Sequence, residues 1–373
     1  MEKDLIEKYK SLFIPGIKLN EFFYNEAIRP ILDEYFPSLP YSASLAGYGS
    51  DVLGYDNPVS VDHDWGPRLQ LFLTLEDYEA YREEIHKCLC EHLPPEFRGF
   101  SVNFSKPDLS DGGTIAMEPV NHGPVNHNIK IFTLKSFFKT YLGVDPFEEI
   151  SPVTWLTFTE QSLLEVTGGK VYHDGLGELN KLRDKFSCYP EDIWLYKMAC
   201  QWQRISQEEP FMGRCGDAGD EAGSHIIAAR LVRDMMKLCF IMEKKYAPYN
   251  KWFGSAFKKL KIAEKLLPVL NNILKGPGWQ EREKYLCEAF VIIGEMHNDP
   301  GITEHIEVKI SNFFERPYRV VNAGRFAESI KKAIKHEEVR NIKFPIGSVD
   351  QFIDCTDLSD NIKLTGLLTI LYK

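Results

Sequence analysis

No run of about 18 consecutive apolar residues occurs anywhere in the chain, so a membrane-spanning helix is not expected. The opening residues, Met1-Glu2-Lys3-Asp4-Leu5, mix charges and contain no cleavable apolar segment, so secretion is not expected either. Positive charge is not in excess. Forty-four Lys and Arg face 54 Asp and Glu, a formal net charge of −10, which leaves no chain-wide electrostatic footprint for duplex nucleic acid. The eight cysteines follow no repeated spacing, and Cys88-Leu89-Cys90 has no second pair at finger spacing. Reduced, packed thiols and a cytoplasmic location follow as expectations. His122 and His127 lack the i, i+4 spacing of a helical zinc pair and read as loop residues. Gly-x-Ser-x-Gly, the Walker lysine motif and His-Glu-x-x-His are all missing, so hydrolase and P-loop chemistry have no positive support.

What is present is enough apolar material for two domains: 373 residues, 44% of them hydrophobic. Apolar spacing of three and four predicts helices over 19–36 and 76–93, and alternation predicts strands near 41–49, 59–74, 100–105 and 129–134. After Ser151-Pro152, a helix-start pair, the pattern turns helical over 152–166, 176–187, 190–206, 220–246, 251–274, 279–297, 303–315 and 323–340. The expected class is α+β: an N-terminal domain with a mixed β-sheet over 1–148, followed by an all-helical domain over 149–373.

The sharpest chemical feature is Gly49-Ser50 followed, after eleven intervening residues, by Asp62-His63-Asp64. Two acids at i and i+2 on a strand share a face and repel unless a cation sits between them, so a divalent ion is the natural occupant. Magnesium, with few carboxylates plus water and phosphate oxygens, suits so short a ligand set. Gly49 lets backbone approach a phosphate, and the Ser50 hydroxyl with nearby amides would donate to it. His63 must then face the opposite side of the strand. Arg68 is either a phosphate clamp or half of a structural ion pair with Asp51 or Asp56. Asp51 itself reads as a loop cap or as a contact to the metal-nucleotide.

Gly49-Ser50-x11-Asp62-x-Asp64 resembles the signature of the nucleotidyltransferase superfamily, the polymerase β-like fold. The wider stretches Gly47-Tyr48-Gly49-Ser50-Asp51-Val52-Leu53-Gly54 and Ser60-Val61-Asp62-His63-Asp64-Trp65-Gly66-Pro67-Arg68 resemble a bacterial subfamily, DUF4037. The likeness continues through Gly213-Arg214-Cys215-Gly216-Asp217 and Tyr246 to Gly254. The resemblance implies a nucleotidyltransferase-like N-terminal domain and transfer of a nucleoside monophosphate from a nucleoside triphosphate with Mg²⁺ or Mn²⁺. By position, Asp62 and Asp64 become the catalytic metal ligands. The superfamily normally adds a third carboxylate from a later strand; here Asn103 and Lys130 hold the alternating positions, and neither is acidic. A catalytically weak nucleotide-binding regulatory protein is therefore the alternative reading.

In the second half, Arg204, Arg214, Arg230, Arg233, Lys244, Lys245 and Lys251 concentrate positive charge within an acidic chain. Gly213 to Asp220 reads as a glycine-punctuated turn before a helix, with Arg214 offering a charged fork to an anion. Tyr249-Asn250-Lys251-Trp252 offers an aromatic face to a base and an ammonium to a phosphate, or else a helix turn with Trp252 buried. Arg316, Arg319 and Arg325 form a further cluster, facing an acceptor or pairing with acids such as Glu328. Net acidity favours a small-molecule or protein acceptor over a long nucleic acid.

Overall fold

The computed structural model describes residues 3–373; Met1 and Glu2 of the N-terminal reading lie outside the described residues. The chain divides into two compact units: Met1–Glu149 with Ser162–Ser187, and Ile150–Gln161 with Cys188–Lys373. Among the described residues no helix is long and apolar enough to cross a membrane.

In the first unit, helices α1 (Lys3–Ser11), α2 (Gly16–Phe23) and α3 (Arg29–Tyr35) lead into β1 (Ser42–Leu45), with a π-helical turn over Tyr24–Ile28 joining α2 to α3. Then follow β2 (Arg68–Leu73), α4 (Leu75–His92), the short hairpin β3 (Glu96–Phe97) and β4 (Phe100–Ser101), β5 (Asn128–Thr133) and α5 (Leu134–Leu142). After a one-turn helix α6 (Pro152–Trp155) that belongs to the second unit, α7 (Glu160–Thr167) leads back into the first, to β6 (Lys170–Asp174) and α8 (Leu179–Phe186). The main sheet runs β5-β2-β1-β6, with β2 and β5 parallel and β1 antiparallel to both neighbours. The parallel pair requires a crossover, which α4 supplies. Thr74 caps that helix through the Asp77 amide (3.1 Å), and Glu76 and Asp77 favour its N-terminal dipole.

Alternation gives the sheet two unlike faces. Leu69, Leu71 and Ile129 point into the apolar core together with Ile85 and Leu89 of α4 and with Leu19, Phe23, Ile28 and Leu32. Ser44, Gln70 and Lys130 stand side by side in register on the other face, with Arg68 two residues along. Phe137 of α5 covers one end of this polar face, meeting Phe72 and Phe132 at ring separations of 5.2 and 5.6 Å.

The second unit is built from α9 (Glu191–Glu208), α10 (Phe211–Asp217), α11 (Glu221–Met242), α12 (Asn250–Phe257), α13 (Ala263–Lys275), α14 (Trp279–Asn298) and α15 (Gly324–Ala333), with a two-residue ladder joining Ser311–Asn312 to Arg319–Val320. Trp202 of α9 stacks on Phe326 of α15 at 4.3 Å.

The α+β class and the mixed sheet agree with the sequence reading, but four local expectations do not. The strand expected over 59–74 begins only at Arg68. Asn57 and Ser60 cap each other's backbone amides and Pro58 takes the first helical position, so Pro58–Asp62 winds as a 3-10 helix. The second half is not all helical, because Lys170–Asp174 adds an edge strand to the first unit's sheet. No helix forms over 303–315, where residues 303–310 are irregular and Ser311–Asn312 is a strand. Gly213 to Asp220 is not a turn before a helix: Phe211–Asp217 is itself helical, and Gly216 is packed so tightly on Trp279 that a Cβ would sit 2.2 Å from it.

Candidate functional site

Between β1 and β2 the chain runs over the end of the polar sheet face as a glycine loop. The Gln70 side chain accepts the Ala46 amide (2.8 Å), and the Glu165 carbonyl accepts the Gly47 amide (2.7 Å), so the loop's first residues are pinned from two directions. Gly47 has φ +85° and the Tyr141 hydroxyl occupies the space a side chain would need. Beyond it, Arg68 reaches up from the first position of β2. Its Nε donates to Asp51 Oδ2 (3.2 Å) and its Nη2 to both Asp51 Oδ1 (2.6 Å) and the Tyr48 carbonyl (2.7 Å). Burial works against this guanidinium's charge, but Asp51 outweighs it and holds the group above its ordinary value.

Gly49 lies directly over the pair. Its φ is +135°, and a Cβ there would lie 2.2 Å from Asp51 Oδ1 and 2.3 Å from Arg68 Nη2, so no side chain can stand at this position without breaking the fork. Asp56 closes the far end of the loop, accepting from the Gly16 amide (2.6 Å) and from Trp65 Nε1 (3.0 Å). The loop is therefore rigid from beneath. Ser50 is half-buried at its crest.

Asp62 and Asp64 do not share a strand face. Asp62 ends the 3-10 helix, His63 is extended, and Asp64 takes a left-handed conformation with φ +51°. Proline-initiated winding at Pro58 is what removes the alternation on which the strand argument rested. His63 consequently does not sit behind the acids: it is exposed, with Nδ1 3.0 Å from Asp62 Oδ2. Asp64 Oδ1 accepts the Ile115 amide (3.1 Å) while its own amide donates to the Ile115 carbonyl (2.8 Å), which ties it to the 106–126 loop. Asp62 is half-exposed and Asp64 exposed, and among the described residues no arginine fork engages either. Asp64 nevertheless lies near enough to Arg68 and Lys130 to act on their charge. Partial burial, followed by the Arg68 charge, pulls the Lys130 ammonium below the usual lysine range, with Asp64 opposing.

Asp62 and Asp64 supply carboxylate oxygens, the donor type magnesium takes, and neither is locked to a guanidinium, although Asp62 Oδ2 faces His63 and Asp64 Oδ1 holds the Ile115 amide. Neither Asn103 nor Lys130 supplies a third acid. Asn103 is spent on structure, donating to the Glu118 carbonyl (2.9 Å) and accepting the Asn126 amide (2.7 Å).

Gly49, Ser50, Asp62, Asp64 and Arg68 all belong to the first unit, whereas Arg214 and Lys251 belong to the second. Arg214 is exposed on α10, and Lys251 is exposed in the first turn of α12 with its ammonium 5.2 Å from the Trp252 ring. Most of the surrounding basic residues are neutralised locally: Arg204 by Asp234, Arg230 by Glu208, Arg233 by Asp354 and Lys244 by Glu191. Arg325 donates to the Glu307 and Val321 carbonyls rather than pairing with Glu328, which holds Lys331.

The second unit contains a buried charged network that sequence reasoning missed. Lys197, fully buried in α9, places Nζ 2.9 Å from Glu160 Oε1 and 2.5 Å from the Ser348 hydroxyl. Asp350 accepts the Glu160 amide (2.8 Å), and Lys237 donates to the Asp350 carbonyl (2.5 Å). The available signal was a lone lysine inside the apolar helical run Ile193 to Cys200.

The stretch over residues 155–253 matches the model of a family described as a domain of unknown function, DUF4037, the family that the sequence resembles. It contains Glu160, Lys197 and Lys237 but none of the loop residues from Gly47 to Arg68. No curated protein matches the chain. A solved structure described as a nucleotidyltransferase-like protein from Exiguobacterium sibiricum is similar over 83% of this chain and 88% of that one, at 9% identity and a TM-score of 0.31. A likeness of that size carries no argument about fold or chemistry.

Proposed function

We propose that the chain binds a metal-complexed nucleoside triphosphate on the glycine loop of its first unit and transfers the nucleoside monophosphate to a hydroxyl or amine of a small-molecule or protein acceptor. The observation that carries this reading is the loop itself. Backbone over Tyr48 to Ser50 is braced from below by the buried Asp51–Arg68 fork, which Gly49 admits by having no side chain, and Asp62 and Asp64 remain open to solvent. Such a loop lets phosphate oxygens approach amides closely without first having to be ordered.

In this reading the acceptor oxygen or nitrogen forms a bond to the α-phosphorus, the bond to the bridging oxygen breaks, and pyrophosphate leaves while the acceptor proton passes to solvent. A magnesium or manganese ion held by Asp62 and Asp64 would neutralise phosphate charge. Arg68 does not clamp phosphate, since its fork is committed to Asp51 and Tyr48; it positions the loop. Lys130 brings a cation to the polar sheet face at a position where the superfamily resemblance calls for an acid. That substitution favours the second reading, in which occupancy rather than turnover is the output.

The test is a melting-temperature series with ATP, GTP, CTP and UTP, each with and without Mg²⁺. A ligand that binds the native state alone raises the transition by mass action. A metal-dependent rise is expected, lost in Asp62→Asn/Asp64→Asn; no rise with any triphosphate, or one indifferent to both substitutions, rejects the site. Pyrophosphate release in the presence of cell metabolites then separates transferase from binding protein.

A further inference from the structure

On the opposite side of the sheet from the glycine loop, α4 and the segment leading into β5 bring together two imidazoles and a thiol. His86 and Cys90 are four residues apart on α4, so both project from one face, with His86 Nε2 3.6 Å from Cys90 Sγ. The loop before β5 delivers His127 to the same place. Its ring centroid is 4.7 Å from that of His86, and one ligand atom from each of the three residues lies within 4.8 Å of the others. Backbone contacts fix this approach: the Val125 amide donates to the Cys90 carbonyl (2.9 Å), and the apolar packing of α4 on β2 and β5 holds the helix below it.

We infer that His86, Cys90 and His127 form a binding site for a borderline divalent ion of the zinc class, independent of the magnesium-type site proposed above. A thiolate with two imidazoles selects Zn²⁺, Co²⁺ or Ni²⁺ over the hard, oxygen-seeking Mg²⁺ and Ca²⁺. Three protein ligands leave a fourth position for water or an external group. His86 is exposed and Cys90 is half-buried, so an ion reaches them from solvent. On binding, the sulfur–metal bond forms and the thiol proton leaves to solvent.

A second pair on the same helix serves as an internal control. Cys88 and His92 have the same spacing and the same 3.6 Å approach, but the His92 Nδ1 that makes it lies 2.9 Å from the Cys88 carbonyl and, among the described residues, no third ligand accompanies them. His127 also sets the strength of the proposed site. Its Nδ1 accepts the Ile129 amide (3.1 Å) and its Nε2 faces the His86 carbonyl (3.3 Å), so ligation through Nδ1 costs it the Ile129 contact and ligation through Nε2 costs it both. The helical pair anchors the ion and His127 closes over it.

The protein, stripped with chelator and reduced, is titrated with Co²⁺. One equivalent is expected to produce a near-ultraviolet sulfur-to-cobalt charge-transfer band, displaced by equimolar Zn²⁺ and unaffected by a large excess of Mg²⁺. Cys90→Ser should abolish the band and His86→Ala weaken binding at least tenfold, while Cys88→Ser leaves both unchanged; His127→Ala should weaken binding less than His86→Ala. Circular dichroism of each variant checks that α4 persists. No charge-transfer band at excess cobalt, a band that survives Cys90→Ser in folded protein, or an affinity indifferent to His127→Ala overturns the three-ligand site.

Discussion

Both units bury cations, Arg68 in the first and Lys197 and Arg282 in the second, and Arg68 and Lys197 are handled differently. Arg68 in the first meets a single carboxylate, Asp51, through a fixed two-nitrogen fork and spends its remaining reach on the Tyr48 carbonyl. Lys197 in the second is a point charge shared among Glu160, the Ser348 hydroxyl and the Tyr189 hydroxyl, with Asp350 and Lys237 close by. The planar fork shapes backbone, because its geometry dictates where Asp51 and Tyr48 must be. The ammonium balances charge without dictating direction. A fixed backbone path is the product at Arg68, and a charge shared among several partners is the product at Lys197.

The largest effect that sharpens this contrast comes from removing either cation. Arg68→Met and Lys197→Met each strand a buried carboxylate, and each is expected to cost ~3–5 kcal/mol in urea unfolding. Conservative exchange then separates the two. Arg68→Lys retains charge but loses the fork, so most of that cost should remain and the nucleotide-dependent rise in melting temperature should disappear with the loop's shape. If Arg68→Lys were as stable as the parent and bound nucleotide normally, the fork would be no more than a charge, and the distinction from Lys197 would collapse.

The second test uses pH. Burial, reinforced by the neighbouring Glu160 carboxylate, raises the Asp350 acid well above the ordinary aspartate range. A raised folded-state pKa means the protonated form is the one the native state prefers. Its stability contribution is complete below the unfolded value of ~4 and is lost as pH climbs through the raised value. Asp350→Asn keeps an acceptor for the Glu160 amide and removes the titration. The variant is expected to gain on the parent by about 1–2 kcal/mol between pH 4 and 7, read as paired urea midpoints across that range. Asp51→Asn, which strands Arg68, should show no such gain.

Much of the first unit was legible because its signals are local. Helices around 19–36 and 76–93 follow from apolar spacing, β1 and β2 lie within the expected stretches, and β5 overlaps its own, starting one residue early. The error that matters most for the site has a local cause: a single backbone-directing residue overrode a longer pattern. Pro58 after a capping asparagine wound Pro58–Asp62 into a helix and so removed the shared face proposed for Asp62 and Asp64. Arg68 could be read only as one of two options, since pairing with Asp51 depends on a turn whose path four glycines set. Non-local assemblies were hidden altogether. His127 meets His86 across 41 residues and Lys197 meets Ser348 across 151, separations that no periodicity encodes.

The smallest expected effect concerns two buried serines, and it bears on function as well as stability. Ser348 shares its hydroxyl with Lys197, so Ser348→Ala should cost about 1 kcal/mol by leaving the ammonium one partner short. Ser44 stands on the polar sheet face beside Gln70, fully buried, with no hydrogen-bond partner for its hydroxyl. Removing an unsatisfied group relieves a desolvation penalty, so Ser44→Ala should leave stability unchanged or raise it by up to ~1 kcal/mol. A polar group kept at such a cost next to the candidate loop is informative only through what it meets when the loop is occupied. Calorimetric titration of Ser44→Ala with magnesium-nucleotide is therefore the paired measurement. Weaker binding in a variant at least as stable as the parent would mark the orphan hydroxyl as part of the site, whereas unchanged binding would make Ser44 a purely structural residue and the first unit's polar face less specialised than the comparison implies.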